Sequence, residues 1–215
     1  MAEERFAQIA DHVREQFEHM DKLREQAYAL SREIVRNSAT AIRMVHRGEL
    51  DKADELMRRN TEALAKLRPQ LEGLPALLSA GFVQDAMKEH AEANLTRCLA
   101  CDLPFPTPEE IAVDGAPYLN GMAEALTEMR RHIIDKIRQG ELEQCEAWLA
   151  RMDDVYYELM TFDYPDAISQ GLKRRLDTVR TVIERTRSDL TTAIRQRALE
   201  EQMARLEELL RRRAE

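Results

Sequence analysis

Residues 4–48 read ERFAQIADHVREQFEHMDKLREQAYALSREIVRNSATAIRMVHRG, and the spacing of their apolar side chains decides the fold class. Phe6, Ile9, Val13, Phe17, Met20, Leu23, Ala27, Leu30 and Ile34 recur in steps of three and four, which lines them up as one stripe on an α-helix. The stripe can be followed to Met44, and Gly48 offers a natural left-handed stop. A helix from Glu4 to Arg47 is about 65 Å long. A compact domain of this size is only about 45 Å across. The helix is therefore expected either to bend near Asn37-Ser38 or to reach a neighbouring subunit.

The rest of the chain continues in the same style. A second helix is expected from Leu50 to Leu67, with Ala53, Leu56, Leu64 and Leu67 inward, before Pro69, Gly73 and Pro75 break it. A third spans Phe82 to Cys101. The stretch Leu103-Pro104-Phe105-Pro106-Thr107-Pro108 cannot be helix interior, though Thr107, with Glu109 and Glu110 behind it, can start a short turn. A fourth helix starts near Pro117, carries Leu119, Met122, Leu126, Met129, Ile133 and Ile137, and stops at Gly140. A fifth runs from Glu141 to about Phe162. The last runs from about Ala167 to the end through Leu172, Leu176, Val179, Ile183, Leu190, Ile194 and Met203. His46-Arg47-Gly48-Glu49-Leu50 and Arg138-Gln139-Gly140-Glu141-Leu142 echo one another as tight helical hairpins. The expectation is an all-α bundle of about seven helices, several long and antiparallel, in a single domain over 1–215.

Composition agrees and narrows the function classes. Charged residues make up 33% and aromatic residues 5% of the chain, with only 7 Gly and 7 Pro, which favours helix and disfavours a β-sandwich or barrel. The net charge of -8 argues against a surface that coats nucleic acid everywhere, while leaving room for a local basic groove. No apolar run approaches the roughly 20 residues of a bilayer span, and Met-Ala-Glu-Glu-Arg lacks the apolar core of a signal peptide. The expected compartment is the cytoplasm. Three cysteines, an odd number, suggest reduced thiols.

Most catalytic constellations fail on spacing. Cys98-x-x-Cys101 lacks a βαβ context and a fourth metal ligand. None of His12, His19, His46, His90 and His132 has a Glu three residues before it, so a Glu-x-x-His di-metal bundle is excluded. There is no nucleophile elbow, P-loop or dinucleotide fingerprint. What remains is carboxylate pairing. Asp85, Glu89, Glu92 and Thr96 share one face of the third helix, and Glu124, Glu128 and Asp135 share a face of the fourth, opposite its apolar stripe. Such oxygens suit a hard divalent cation able to activate water against a phosphodiester. The plain alternative is a solvated polar face.

One segment carries a family resemblance. Glu89-His90-Ala91-Glu92-Ala93, followed by Leu95-Thr96-Arg97, resembles the Glu-x-x-Glu-Ala signature of Trax, the translin-associated factor. Ser31-Arg32-Glu33-Ile34-Val35-Arg36 with His46-Arg47-Gly48 resembles the end of the translin family's first helix. Tyr118-Leu119-Asn120-Gly121-Met122-Ala123-Glu124 with Glu128 is similar to its Tyr-Leu-x-Gly-x-Ala-Asp…Glu segment. Arg175-Leu176-Asp177 through Glu184-Arg185-Thr186-Arg187-Ser188-Asp189-Leu190 is similar to its last helix. The matches run in order over most of the chain.

The resemblance implies seven packed helices per subunit, a closed homo-oligomeric shell (an octamer), and binding of single-stranded RNA or DNA. For Trax-like members it also implies endoribonuclease activity with Mg2+, or Mn2+ in its stead, at Glu89, Glu92 and Glu124, with Glu128 as a further acidic neighbour. Position 124 is Glu where the Trax pattern has Asp, one methylene longer. Translin proper binds nucleic acid without the paired acids, so Glu89 and Glu92 put this chain on the Trax side, as a prokaryotic-type member that assembles alone. The alternative is a translin-type single-stranded RNA- or DNA-binding oligomer without hydrolysis. Arg32, Arg36, Arg97, Arg130 and Arg131 are the basic residues that can position phosphates; the competing role for each is a helix-surface ion pair at i,i+4. No membrane is expected among the partners.

Overall fold

Eight helices and no strand make up residues 2–214, which the structure, a computed structural model, describes. They are α1 (Ala2–Arg47), α2 (Leu50–Leu71), α3 (Pro75–Leu78), α4 (Gly81–Cys101), α5 (Gly115–Arg138), α6 (Cys145–Leu159), α7 (Asp166–Ser169) and α8 (Leu172–Ala214). The all-α expectation holds. The count exceeds seven because α3 and α7 are separate four-residue turns.

Local chemistry accounts for most boundaries. Gly48 and Gly140 both end their helices in the left-handed region, at φ 75° and 79°. In each, the glycine N–H donates three residues back and the next N–H donates five back: Gly48 to Val45 and Glu49 to Met44, Gly140 to Ile137 and Glu141 to Lys136. The two echoing sequences are thus two copies of one helix stop that satisfies the last carbonyls. Thr107 and Glu110 form a reciprocal cap, Glu110 N donating to Thr107 Oγ1 and Thr107 N to Glu110 Oε2, but only turns follow.

α1 runs unbroken through Asn37 and Ser38, which are held by Asn60 of α2: its Nδ2 donates to Ser38 Oγ at 3.1 Å while Asn37 Nδ2 donates to Asn60 Oδ1 at 3.0 Å. Polar residues satisfied this way let the helix continue. Three expectations need correction. α2 runs through Pro69 to Leu71; the carbonyl deprived of a donor belongs to Ala65, on an exposed position where water can serve it. α6 begins at Cys145 rather than Glu141, after a turn. The last long helix begins at Leu172, because Gln170 and Gly171 both take positive φ, 52° and 82°, and cut off α7.

The chain packs as two compact units. One comprises Met1–Leu95 with Phe105–Gly121, the other Thr96–Pro104 with Met122–Glu215. Both α4 and α5 begin in the first and end in the second. In the first, α1 and α2 form an antiparallel hairpin that buries Ala27, Ile34, Ala41, Ile42 and Val45 against Ala53, Met57, Leu64, Leu67 and Leu71. In the second, α6 packs on α8, pinned by Arg187, whose Nη2 donates to both carboxylate oxygens of Asp153 at 2.9 and 2.8 Å. His132 meets Trp148 edge-on there, with ring centroids 4.6 Å apart. Cys98, Cys101 and Cys145 are not joined in disulfides. Among the described residues no helix is long and apolar enough to cross a membrane.

Candidate metal centre

Helix α4 is buried nearly all round. Val83, Ala86, Met87, His90, Ala91, Glu92, Ala93, Leu95, Thr96, Cys98 and Leu99 are all inside. The plain alternative of a solvated polar face does not hold for Glu92, only 8% exposed, or for Thr96, fully buried. A carboxylate at such a position has to be compensated, because burial disfavours its charged form.

Gly121 explains how α5 reaches it. A Cβ at that position would lie 2.7 Å from the Ala91 Cβ, 2.7 Å from the Lys88 carbonyl oxygen and 2.8 Å from the Glu92 nitrogen. Only glycine lets α5 lie this close on α4. Glu124 follows one turn later on the same unbroken helix. Carboxylate oxygens of Glu89, Glu92 and Glu124 then all lie within 4.8 Å of one another. Two oxygens on opposite sides of a Mg2+ are about 4.2 Å apart, twice the metal–oxygen distance, so carboxylates this close can reach one ion. An all-oxygen donor set of this size fits a hard divalent cation such as Mg2+ or Mn2+. Glu128 stands outside the group of three.

Two cations escaped sequence reading. Lys88 Nζ lies 2.8 Å from Glu89 Oε1 and 3.4 Å from Asp85 Oδ1. Arg175, in the first turn of α8, donates from Nε to Glu124 Oε1 at 2.8 Å and from Nη1 to the Gln170 carbonyl at 3.0 Å. Lys88 sits beside Glu89 in sequence, so its proximity was legible. Arg175 is 51 residues from Glu124, and nothing local announces the pair.

His90, between the two acids in sequence, turns away from them. It is fully buried. Thr61 Oγ1 donates to the Met57 carbonyl at 3.1 Å, so its lone pair must accept the proton of His90 Nε2 at 2.9 Å. His90 Nδ1 then accepts from Asn94 Nδ2 at 3.3 Å. Burial drives its pKa from 6.5 down to about 4, and the ring is a neutral core group rather than a ligand.

The five arginines have different surroundings. Arg130 donates from Nη2 to Asp189 at 2.8 Å and from Nη1 to Thr186 at 3.3 Å, an interhelical brace rather than an i,i+4 pair. Arg32 is exposed on α1, 6.0 Å from the centroid of the Tyr28 ring. Arg36 and Arg131 are exposed, and Arg97 is half-buried.

No family model matches the chain. Among curated proteins it is similar to an uncharacterized protein, MJ0175, of Methanocaldococcus jannaschii, at 29% identity over 189 residues, covering 87% of this chain and 83% of that protein. Among solved structures it is similar to AfC3PO in complex with duplex RNA, with a TM-score of 0.81 and 29% identity over 88% of this chain and 98% of that one. The structure of AfC3PO by itself gives the same values. Apo-NeC3PO, at 19% identity, shares the fold with a TM-score of 0.77 over 86% of this chain and 96% of that one. Fold and acidic group together define an all-α helical protein of the C3PO type, a translin/Trax-like architecture. The chain shares the translin/Trax-like fold of these C3PO chains.

Proposed function

We propose that the chain is a metal-dependent endoribonuclease of the Trax type, acting on single-stranded RNA as a closed homo-oligomeric shell, an octamer. One observation carries this reading: Glu89, Glu92 and Glu124 bring their carboxylates within 4.8 Å of one another. The similarity to AfC3PO, whose structure has been solved with duplex RNA, supports RNA as the class of ligand. In this reading Glu89, Glu92 and Glu124 hold Mg2+, or Mn2+, through oxygen, and Glu128 adds negative potential nearby. When bound, such a cation neutralises charge at the phosphoryl group and makes a nucleophile of water. The chain's own part is positional. Glu92 is fixed by burial, Glu124 is aimed by Arg175, and the arginines Arg32, Arg36, Arg97 and Arg131 attract the phosphate backbone of RNA or single-stranded DNA. Arg130, committed to Asp189, holds α5 on α8 and acts through that placement.

A second reading has its own support. Lys88 and Arg175 each engage one acid of the group, as suits a nucleic-acid-binding oligomer without hydrolysis. Cleavage of single-stranded RNA with Mg2+, compared with EDTA, separates the two. Glu92→Gln keeps size and removes charge. It is expected to lower the rate on the order of a hundredfold or more, by analogy with other electrostatic catalytic groups, while leaving assembly and RNA binding in place. Parental rates in both Glu92→Gln and Glu89→Gln would sink the nuclease reading.

A further inference from the structure

Half of α1 has no cover. Its buried residues Ala27, Ser31, Ile34, Ser38, Ala41 and Val45 follow a 4-3-4-3-4 pattern, and α2 lies on them. The register is set by Asn60 on Ser38. Eleven residues onward α2 ends at Leu71, which in an antiparallel pair is level with Ala27, eleven residues back. The same α1 face then continues without α2 through Phe17, Val13, Ala10 and Phe6, with Ile9 beside them. Phe6 is 69%, Ile9 52% and Phe17 63% exposed. A face that is core for half its length and bare for the rest asks for another helix in line with α2.

The chain carries one such helix face at its other end. Beyond Leu190, α8 exposes Leu199, Met203, Leu206 and Leu210, at 55–61% each. These are not an extension of the α8 core stripe. Leu172, Leu176, Val179, Ile183, Thr186 and Leu190 would continue through Ala193, Arg197, Glu200 and Ala204. The tail stripe sits one residue earlier, turned by about 100°, so it faces away from what covers the rest of α8.

The two bare stripes match. Phe6, Ala10, Val13 and Phe17 are spaced 4-3-4, and so are Leu199, Met203, Leu206 and Leu210; this is the spacing by which two helices interdigitate along a seam. Residues 3–22 and 195–214 are each about 30 Å of helix. Their charges are opposite: residues 3–22 hold six acids and three bases, and residues 195–214 hold six arginines and four glutamates. Two copies of the α1 segment repel each other, as do two copies of the tail, whereas one of each attracts.

We infer that the C-terminal part of α8, from about Arg195, docks on the uncovered N-terminal half of α1 in a second copy of this chain, taking up the line where α2 stops. The contact is heterologous, one patch on each partner, and closes by symmetry into a pair or a ring. It rests on the assembly part of the function proposed above and is independent of hydrolysis.

Two double variants test it in the full chain: Leu199→Glu with Leu206→Glu on the tail, and Phe6→Glu with Val13→Glu on α1. The tail pair and Phe6 are well exposed and Val13 is 37% exposed, so helix content by circular dichroism stays at the parental level. Light scattering and sedimentation across a concentration series read the result. Each variant alone is expected to lose a step of association, with the half-association concentration raised at least about tenfold. Mixing the two restores a complex that neither forms alone, because each retains the stripe the other lost. Failure of only one variant to associate, with no recovery on mixing, means like pairs with like and overturns the inference. Parental mass in both variants overturns it while leaving an oligomeric shell standing. A parent chain that is monomeric at micromolar concentration removes both.

Discussion

Replacing Gly121 by alanine tests the placement of the acidic group most directly. In an ordinary helix interior, Gly→Ala stabilises by about 1 kcal/mol. Here the added methyl would sit 2.7–2.8 Å from three α4 atoms, two of them backbone and the third an alanine Cβ. None can swing aside as the tip of a long side chain would. Ordinary carbon contacts are about 3.5–4.0 Å, so α5 must retreat from α4 by roughly 1 Å. Overpacking of this kind costs about 1–3 kcal/mol and sometimes more. Net of helix propensity, the variant is expected to lose about 1 kcal/mol, a fall in Tm of about 2–4 °C for a chain of this size. Glu124, one turn along, moves with the helix, so the carboxylates separate beyond 4.8 Å. Urea unfolding gives the first quantity, and Mn2+ titration by electron paramagnetic resonance gives the second as weakened binding. A variant more stable than the parent by about 1 kcal/mol, as for an open helical glycine, would refute the close approach and the geometry built on it.

Two further outcomes follow from buried polar groups. His90 has a folded pKa of about 4 against 6.5 for the free side chain; between these values the unfolded chain binds a proton the folded chain refuses. Its contribution, about 3 kcal/mol, is complete above pH 6.5 and lost as pH falls towards 4, so unfolding free energies at pH 7 and pH 4.5 should differ less in His90→Gln than in the parent. Asn60→Ala removes the hydrogen bonds to Ser38, Asn37 and the Ile34 carbonyl and is expected to cost about 3 kcal/mol; a midpoint within 0.5 kcal/mol of the parent, taken as roughly the spread of neutral surface changes, contradicts the role given to this brace.

What the sequence made legible was local. The 3.6-residue stripe of α1, the paired left-handed stops at Gly48 and Gly140, and the one-turn spacing of Glu89 and Glu92 each need only neighbours along the chain. The burial of Glu92 was not legible, because a periodicity argument assigns polar residues to solvent and α4 is enclosed on almost every side. Its small residues, Ala86, Ala91 and Ala93, signal close packing only once a partner is known. Gly121 stood in the Tyr-Leu-Asn-Gly motif, but what it meets on α4 is tertiary. The cut at Gln170 and Gly171 depends on two consecutive residues with positive φ, and a glutamine gives no warning of that.

The charge balance at the acidic group explains how it can exist without a bound cation. Three carboxylates within 4.8 Å repel by about 3 kcal/mol per pair at an effective dielectric constant of about 20, or about 10 kcal/mol in all. Lys88 and Arg175, each 2.8 Å from one acid, return about 6 kcal/mol apiece on the same scale. The two sums are of the same order, so the cations offset the repulsion among the acids. A solvated helix surface needs no such arrangement, since its acids disperse into water and pair with i,i+4 neighbours, as Glu62 does with Arg58. Here Glu124 is met by an arginine from another helix, and α5 is brought near through the one residue type that permits the contact. The longer side chain at position 124 fits this arrangement. Oε1 accepts from Arg175 while the carboxylate still comes within reach of Glu89 and Glu92. Convergence held by devices from three helices, against the repulsion of its own members, is the physical reason to treat these acids as a site rather than as surface.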